Sequence, residues 1–274
     1  MKSAIQPPAW KALLPWPGPE AHKHARGRLG VVCGPPNRTG AARLAARAGL
    51  RVGAGVVTLL CPPASAPIVA PAVEAVMVHP FEGPQALVEA SQAMNAVVIG
   101  PAAGLDQATI ENVRALARTK AALVVDADAL SIFEGRSQDL FDLLDTQDVL
   151  TPHEGEFQRL FPGLLDAGRE AAALRAARTA GCIVVLKGRE TLIAGPDGRI
   201  HSNDNGSPWL ATAGTGDVLA GIIGGLIAQG MASVDAATAA AWIHAEAARG
   251  FGPGLIAEDL PDRLPAVLSG LYPG

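Results

Sequence analysis

Asp217 is the residue around which chemistry is most readily built. It follows Ala213-Gly214-Thr215-Gly216 and opens a long apolar run. Glycines let a ligand come close to the main chain, and the first turn of a helix offers unpaired N–H groups with partial positive charge. Gly214, Thr215 and Gly216 therefore read as an anion site suited to phosphate oxygens. A carboxylate cannot attract that anion, but it can take a proton from a hydroxyl that attacks the phosphate, as a general base. The competing reading is an aspartate N-cap behind a flexible turn, and on this pentapeptide alone the two stand level.

Other residues bear on the choice. Lys187 closes the run "CIVVLKG", where it either reaches phosphate oxygens as a point charge or is an ordinary solvated lysine at a strand end. His153 and Glu156, three apart in "TPHEGEF", share a face at a helix start and could contact a substrate or hold a magnesium-bound water. The alternative is a capped helix start, with Thr151 placed to open a capping box. Asp126 and Asp128 in "VVDADAL" read more readily as strand-end caps than as paired acids. "NDNGSP" is a polar loop leading into the glycine turn, and "NRTGAARL" is a second glycine turn entering a helix. His22 and His24 belong to a solvated basic segment with no third metal ligand nearby, and His244 reads as a helix residue satisfied by a hydrogen bond.

Positioning such residues requires a frame. Apolar runs at Leu29–Cys33, Gly55–Leu60, Ala96–Gly100, Ala122–Leu130 and Cys182–Gly188 alternate with Ala/Leu-rich segments. "ETLIAGPDGRI" predicts a hairpin turning at Pro196–Gly198, and two helices, around Asp217–Gln229 and Ser233–Arg249, come late. Strands with few polar residues separated by helices indicate an α/β fold with a mostly parallel sheet covered on both faces. Ligands in such folds occupy the crevice beyond the carboxyl ends of the strands. Gly100-Pro101, Asp126 and Lys187-Gly188 all fall there.

The chain has 274 residues and a net charge of −4, which predicts no general attraction to nucleic acid or to anionic membranes. Three widely spaced cysteines, Cys33, Cys61 and Cys182, indicate neither a zinc site nor a disulfide framework. Buried, reduced thiols in a cytoplasmic protein are expected. The proline-rich start shows no secretory signal, and no run is long enough to span a membrane. Residues 1–22 are expected to be a loosely attached N-terminal arm and residues 23–274 one catalytic domain.

The order of "RTGAARLAARAGLRVGAGVVTL", "VVIGPAAG", "VVDADAL", "LTPHEGEF", "VVLKGRETLI" and "LATAGTGDVLAGII" resembles that of the ADP/ATP-dependent NAD(P)H-hydrate dehydratases of the ribokinase-like superfamily, over roughly residues 23–250. The resemblance implies a three-layer ribokinase-like fold and a repair reaction. A hydroxyl on the damaged nicotinamide ring is phosphorylated from ADP or ATP, with Mg2+, and phosphate is then eliminated to restore NADH or NADPH. It also implies that Asp217 is the base. Lys187, Gly188, Arg189, Glu190 and Thr191, with Gly214, Thr215 and Gly216, would bind the nucleotide. Ala41, Gly104, His153 and Asp217 would contact the hydrated substrate, and Glu156 would help position magnesium. A tetramer and a functional partnership with an NAD(P)H-hydrate epimerase are further implications. The chain has no room for a fused epimerase domain, so it looks like a stand-alone dehydratase or a trimmed part of a longer protein.

Four positions depart from the family's pattern: Cys33-Gly34-Pro35 at the first turn, Arg38 in place of an aromatic, Ala102 in place of a glycine, and Ser207 where asparagine is common. They lie towards the dinucleotide side. The rival readings are a ribokinase-like kinase of a vitamin-type alcohol, and a non-catalytic nucleotide-binding protein. The latter is disfavoured because Asp217 and its glycines are present.

Overall fold

A computed structural model describes residues 8–273. Its strands are β1 (Arg28–Val32), β2 (Val56–Cys61), β3 (Met77–Pro80), β4 (Ala96–Ile99), β5 (Ala122–Val125), β6 (Val149–Leu150), β7 (Ile183–Leu186), β8 (Thr191–Ala194) and β9 (Ile200–Asn203). They form one sheet in the order β3-β2-β1-β4-β5-β6-β7-β8-β9. Pairing is parallel from β3 across to β7 and antiparallel for β8 and β9. The expected mostly parallel α/β sheet is therefore present, and the Pro196–Gly198 turn joins β8 to β9.

The Val-, Leu- and Ile-rich strands are buried because helices cover both faces. Gly40–Arg51, Thr215–Ala228, Ser233–Phe251 and Leu260–Leu271 share one apolar cluster with the sheet. Gly83–Ser91, Gln107–Leu116, Glu154–Leu160 and Arg169–Ala180 share the other. All three cysteines are buried and free.

The helix Thr215–Ala228 is apolar nearly all round and is buried accordingly. It can lie against Gly40–Arg51 because Gly221 has no side chain, since a Cβ there would fall 2.1 Å from the Ala45 carbonyl oxygen. This packing fixes the mouth of the helix, and Asp217 with it, above the centre of the sheet. Chain order reverses around β1, whose neighbours are β2 and β4, so the crevice expected at a topological switch point opens over their carboxyl ends.

Two expectations change. Elements without a clear sequence signal also form: β3, the helix Gly83–Ser91, the two-residue β6 and the C-terminal helix Leu260–Leu271. The described part of the N-terminal arm is docked rather than loose. Trp10 and Leu14 are buried, and the Trp10 ring lies 5.5 Å from that of Trp242. Residues 1–7 of the arm lie outside the described residues. Among the described residues, no helix is long and apolar enough to cross a membrane.

Candidate active site

The site is assembled at the carboxyl ends of β1, β4, β5, β6 and β7. The glycine turn comes first. Gly214 has φ 90°, in the left-handed region where a Cβ is penalised. A Cβ there would also meet Ala257 at 2.8 Å and Leu44 at 2.9 Å. The Thr215 hydroxyl donates to the carbonyls of Leu210 (2.8 Å) and Thr212 (3.1 Å) and holds the turn shut. Among the described residues, the N–H groups of Thr215, Gly216 and Asp217 find no main-chain acceptor, as expected at a helix start open to an anion. Asp217 lies in the first turn rather than at the N-cap, which is Gly214. The aspartate N-cap reading is thereby excluded.

Lys187 is brought to this mouth from the end of β7. Its N–H donates to the Pro152 carbonyl at 2.9 Å, and a parallel bridge joins it to His153, so two motifs distant in sequence become adjacent. The Lys187 ammonium donates to Asp126 Oδ1 at 2.8 Å and lies 4.0 Å from Glu156 Oε2. It is not the solvated strand-end lysine of the alternative reading. A Cβ on Gly216 would lie 3.4 Å from Lys187 Nζ and 4.0 Å from Asp126 Oδ2, which puts this part-buried ion pair directly under the glycine turn. Burial opposes the Lys187 charge, but the carboxylates of Asp126, Glu156 and Asp217 outweigh it and hold its pKa above the ordinary value.

Asp217 experiences the opposite balance. Burial raises its pKa first, and Asp126 adds repulsion. Lys187 offsets part of this, and the result is about 7. No hydrogen bond reaches the Asp217 carboxylate among the described residues. It is a half-buried acid poised near neutrality with its oxygens uncommitted, which is what general-base work asks for.

Asp126 is a correction. It caps nothing; it is buried and is the Lys187 counter-ion. Asp128 turns the other way, and its Oδ2 accepts from the Gly104 N–H at 2.9 Å, while Arg38 approaches the same oxygen at 3.9 Å. The helix Glu154–Leu160 is also capped differently from expectation. His153 is the N-cap, accepting from the Glu156 N–H at 3.1 Å, and Glu156 Oε2 accepts from the His153 N–H at 2.8 Å. Thr151 instead donates to the Val125 carbonyl.

Comparison with known proteins fits this geometry. The model of the NAD(P)H-hydrate dehydratase family matches residues 29–265. The chain belongs to the NAD(P)H-hydrate dehydratase family. It is 36% identical over 282 residues to the ADP-dependent (S)-NAD(P)H-hydrate dehydratase of Xanthomonas campestris pv. campestris, covering 95% of this chain and 94% of that protein. It is 37% identical over 278 residues to the bifunctional NAD(P)H-hydrate repair enzyme Nnr of Salinibacter ruber, covering 92% of this chain and 50% of that protein. The chain thus spans about half the length of the first curated relatives it matches. Among solved structures it resembles the ADP/ATP-dependent NAD(P)H-hydrate dehydratase of Bacillus subtilis co-crystallised with ATP/Mg2+. The TM-score is 0.85 at 26% identity, covering 98% of both chains.

Of the residues the dehydratase resemblance singles out, Lys187, Gly216, Asp217, Glu156 and His153 are gathered at this mouth. Gly188, Arg189, Glu190 and Thr191 form the turn from β7 into β8. That turn is braced by Arg169, whose guanidinium donates to the Glu190 carbonyl at 2.8 Å. The Glu190 carboxylate accepts from the Ser202 hydroxyl. Ala41 is the second residue of the helix Gly40–Arg51, and Gly104 lies past β4, its N–H bound to Asp128. Arg169 had no signal in the sequence, because its role depends on β7 and β8 folding over it.

Proposed function

We propose that this chain repairs hydrated NADH and NADPH, using ADP or ATP as phosphoryl donor. Asp217 takes the proton of the ring hydroxyl as the hydroxyl oxygen attacks the terminal phosphorus of the nucleotide. The bond from that phosphorus to the bridging oxygen breaks, and AMP (from ADP) leaves with the electron pair. The ring C–O bond then breaks with its electrons on the departing phosphate. A neighbouring ring C–H loses its proton, which restores the double bond. Phosphate is a better leaving group than hydroxide, which is why the phosphoanhydride is consumed.

The amides of Gly214, Thr215 and Gly216 receive charge developing on the transferring group. Lys187 trades its carboxylate neighbours for phosphate oxygens, and the turn Gly188–Thr191 flanks the nucleoside monophosphate. Ala41, Gly104 and His153 line the hydrated dinucleotide's side. Among the described residues, no three metal-ligating side chains converge, so a protein-built magnesium cage does not fit. A Mg2+ carried by the nucleotide phosphates does fit, with Glu156 holding one of its waters. Bound there, it would offset phosphate charge.

We further propose that residues 23–274 act as one catalytic domain in the cytoplasm, that copies assemble as a homotetramer, and that an epimerase of the hydrated dinucleotide supplies the reactive epimer.

Asp217 carries this reading: a pKa of about 7 on an uncommitted carboxylate at an anion-binding helix start. The test is incubation with hydrated NADH plus ADP, and separately ATP. Recovery of reduced-nicotinamide absorbance with release of phosphate is expected. A stable phospho-ester with no recovered absorbance would make the chain a small-molecule kinase instead.

A further inference from the structure

The turn from β7 into β8 has two unlike sides. The carbonyls of Leu186, Lys187 and Glu190 converge on one nitrogen, Arg169 Nη2, at 3.3, 3.4 and 2.8 Å. The other terminal nitrogen, Nη1, donates to the Glu154 carboxylate. Arg169 is the first residue of the helix Arg169–Ala180, and Glu154 the first of Glu154–Leu160, next to its N-cap His153. One planar fork therefore ties the turn to the helix start that carries Glu156. Carbonyl oxygens gathered at one place repel one another, and a cation with several N–H donors is what holds them there.

Gly188 shows how close the fork sits. A Cβ on it would fall 2.5 Å from Arg169 Nη2 and 3.0 Å from both Cζ and Nη1. The Gly188 backbone does not enter the left-handed region, so conformation does not demand glycine at this position; room for the guanidinium does. The Lys187 carbonyl and the Gly188 N–H share one planar trans peptide and point opposite ways. That N–H, like that of Arg189, finds no main-chain acceptor among the described residues. The carbonyl side of the turn is thus taken by Arg169 and the N–H side is open, which suits the acceptor oxygens of a nucleotide.

We propose that Arg169 is a positioning residue: it grips the turn by its carbonyls so that the opposite N–H groups and Lys187 face the nucleotide, and Gly188 is glycine in order to seat it. This rests on the nucleotide-dependent reading above. Arg169 spends its terminal donors on Glu154 and the main chain, so it acts through the turn and not on the nucleotide itself.

The test compares Arg169→Ala, Arg169→Lys, Gly188→Ala and the double variant of Arg169→Ala with Gly188→Ala against the parent protein. The Kd for ADP, Tm and the KM for hydrated NADH are measured. Thr238 is buried and donates to the Val234 carbonyl in the helix Ser233–Phe251, outside the site, so Thr238→Ala reports simple loosening of the fold. Arg169→Ala is expected to weaken ADP by about tenfold or more through a slackened turn, with the KM for hydrated NADH changed far less. Arg169→Lys, which keeps the charge and loses the fork, should hold Tm and still weaken ADP. Gly188→Ala should weaken ADP about tenfold in the parent by unseating the guanidinium. In the Arg169→Ala background the same change should cost about twofold at most, the spread for independent sites. Thr238→Ala should lower Tm and leave the Kd unchanged. The proposal is overturned if Arg169→Ala keeps the parent Kd, if it raises the KM for hydrated NADH as much as the Kd for ADP, or if Gly188→Ala costs the same in both backgrounds. A parent protein that binds ADP but leaves hydrated NADH unrepaired would instead overturn the functional reading, and the Kd comparison would still decide the role of Arg169.

Discussion

Two aspartates at opposite ends of the sheet, Asp148 buried and Asp217 half-buried, show what separates a structural acid from a reactive one. Asp148 precedes β6 at the amino end, and Asp217 stands above the carboxyl ends. Burial raises both pKa values, to about 6 for Asp148 and about 7 for Asp217. Their oxygens differ. Asp148 Oδ1 accepts from the Leu123 N–H at 2.7 Å, and Oδ2 from the Asp145 N–H at 2.9 Å. Both oxygens hold loop and strand ends together. Asp217 has no such bonds and faces Asp126 and Lys187. A raised pKa alone therefore does not mark a functional acid. A raised pKa with uncommitted oxygens beside an anion site does.

The largest effect expected from breaking this contrast is on turnover. Asp217→Asn should lower kcat by about 10²–10⁴-fold, the range for loss of a general base, with nucleotide binding largely kept. Its stability should move the other way. A folded-state pKa above the unfolded one means the folded chain binds more protons between about pH 4 and pH 7. Asp217 thus withdraws stability as pH rises through that window. The asparagine variant should melt higher than the parent at pH 8 and close to it at pH 4, checked by thermal melts.

Lys187→Ala comes next. The nucleotide KM should rise about tenfold or more, and Asp126 is left buried without its partner. Stability should fall by about 3–5 kcal/mol, and an unchanged KM would remove the phosphate contact. Asp148→Ala should leave kcat per folded molecule untouched while stranding two N–H groups, at about 1–3 kcal/mol each. The sign again follows from a raised pKa: the parent's advantage is largest at low pH and shrinks as pH passes about 6. A kcat loss in this variant would erase the contrast between the two ends.

The smallest change concerns Ala102, which holds φ 53°, in the left-handed region that favours glycine. An alanine in the left-handed region costs about 1–2 kcal/mol. Ala102→Gly should recover a part of that, offset by the added freedom of the unfolded chain, and raise Tm by roughly 2–4 °C per kcal/mol gained.

The frame was legible where burial imposes composition. "LGVVC", "AVVIG" and "CIVVLKG" announce strands covered on both faces, and the pattern of strand and helix implies the parallel sheet. β3, "MVHP", stayed hidden because it is an edge strand, largely exposed and ending in proline. β6 is two residues long. The C-terminal helix was masked by Pro261 at its start and Pro265 inside it. At the site, residue type and local spacing pointed to Asp217, Lys187 and Glu156. Asp126 was misread because its partner is 61 positions away and no local pattern encodes that pairing. The cap fell to His153 rather than Thr151 because Thr151 is spent on the Val125 carbonyl, a bond that exists only once β5 and β6 pair. His244 was expected to be satisfied by a hydrogen bond, and one of its nitrogens is not.

The pH dependence of kcat/KM for hydrated NADH, at saturating ADP, tests most directly whether Asp217 is the base. The parent protein should show an acid limb falling tenfold per pH unit below about 7, and the residual activity of Asp217→Asn should lack it. A flat profile down to pH 5, or the same limb in both proteins, would contradict the assignment.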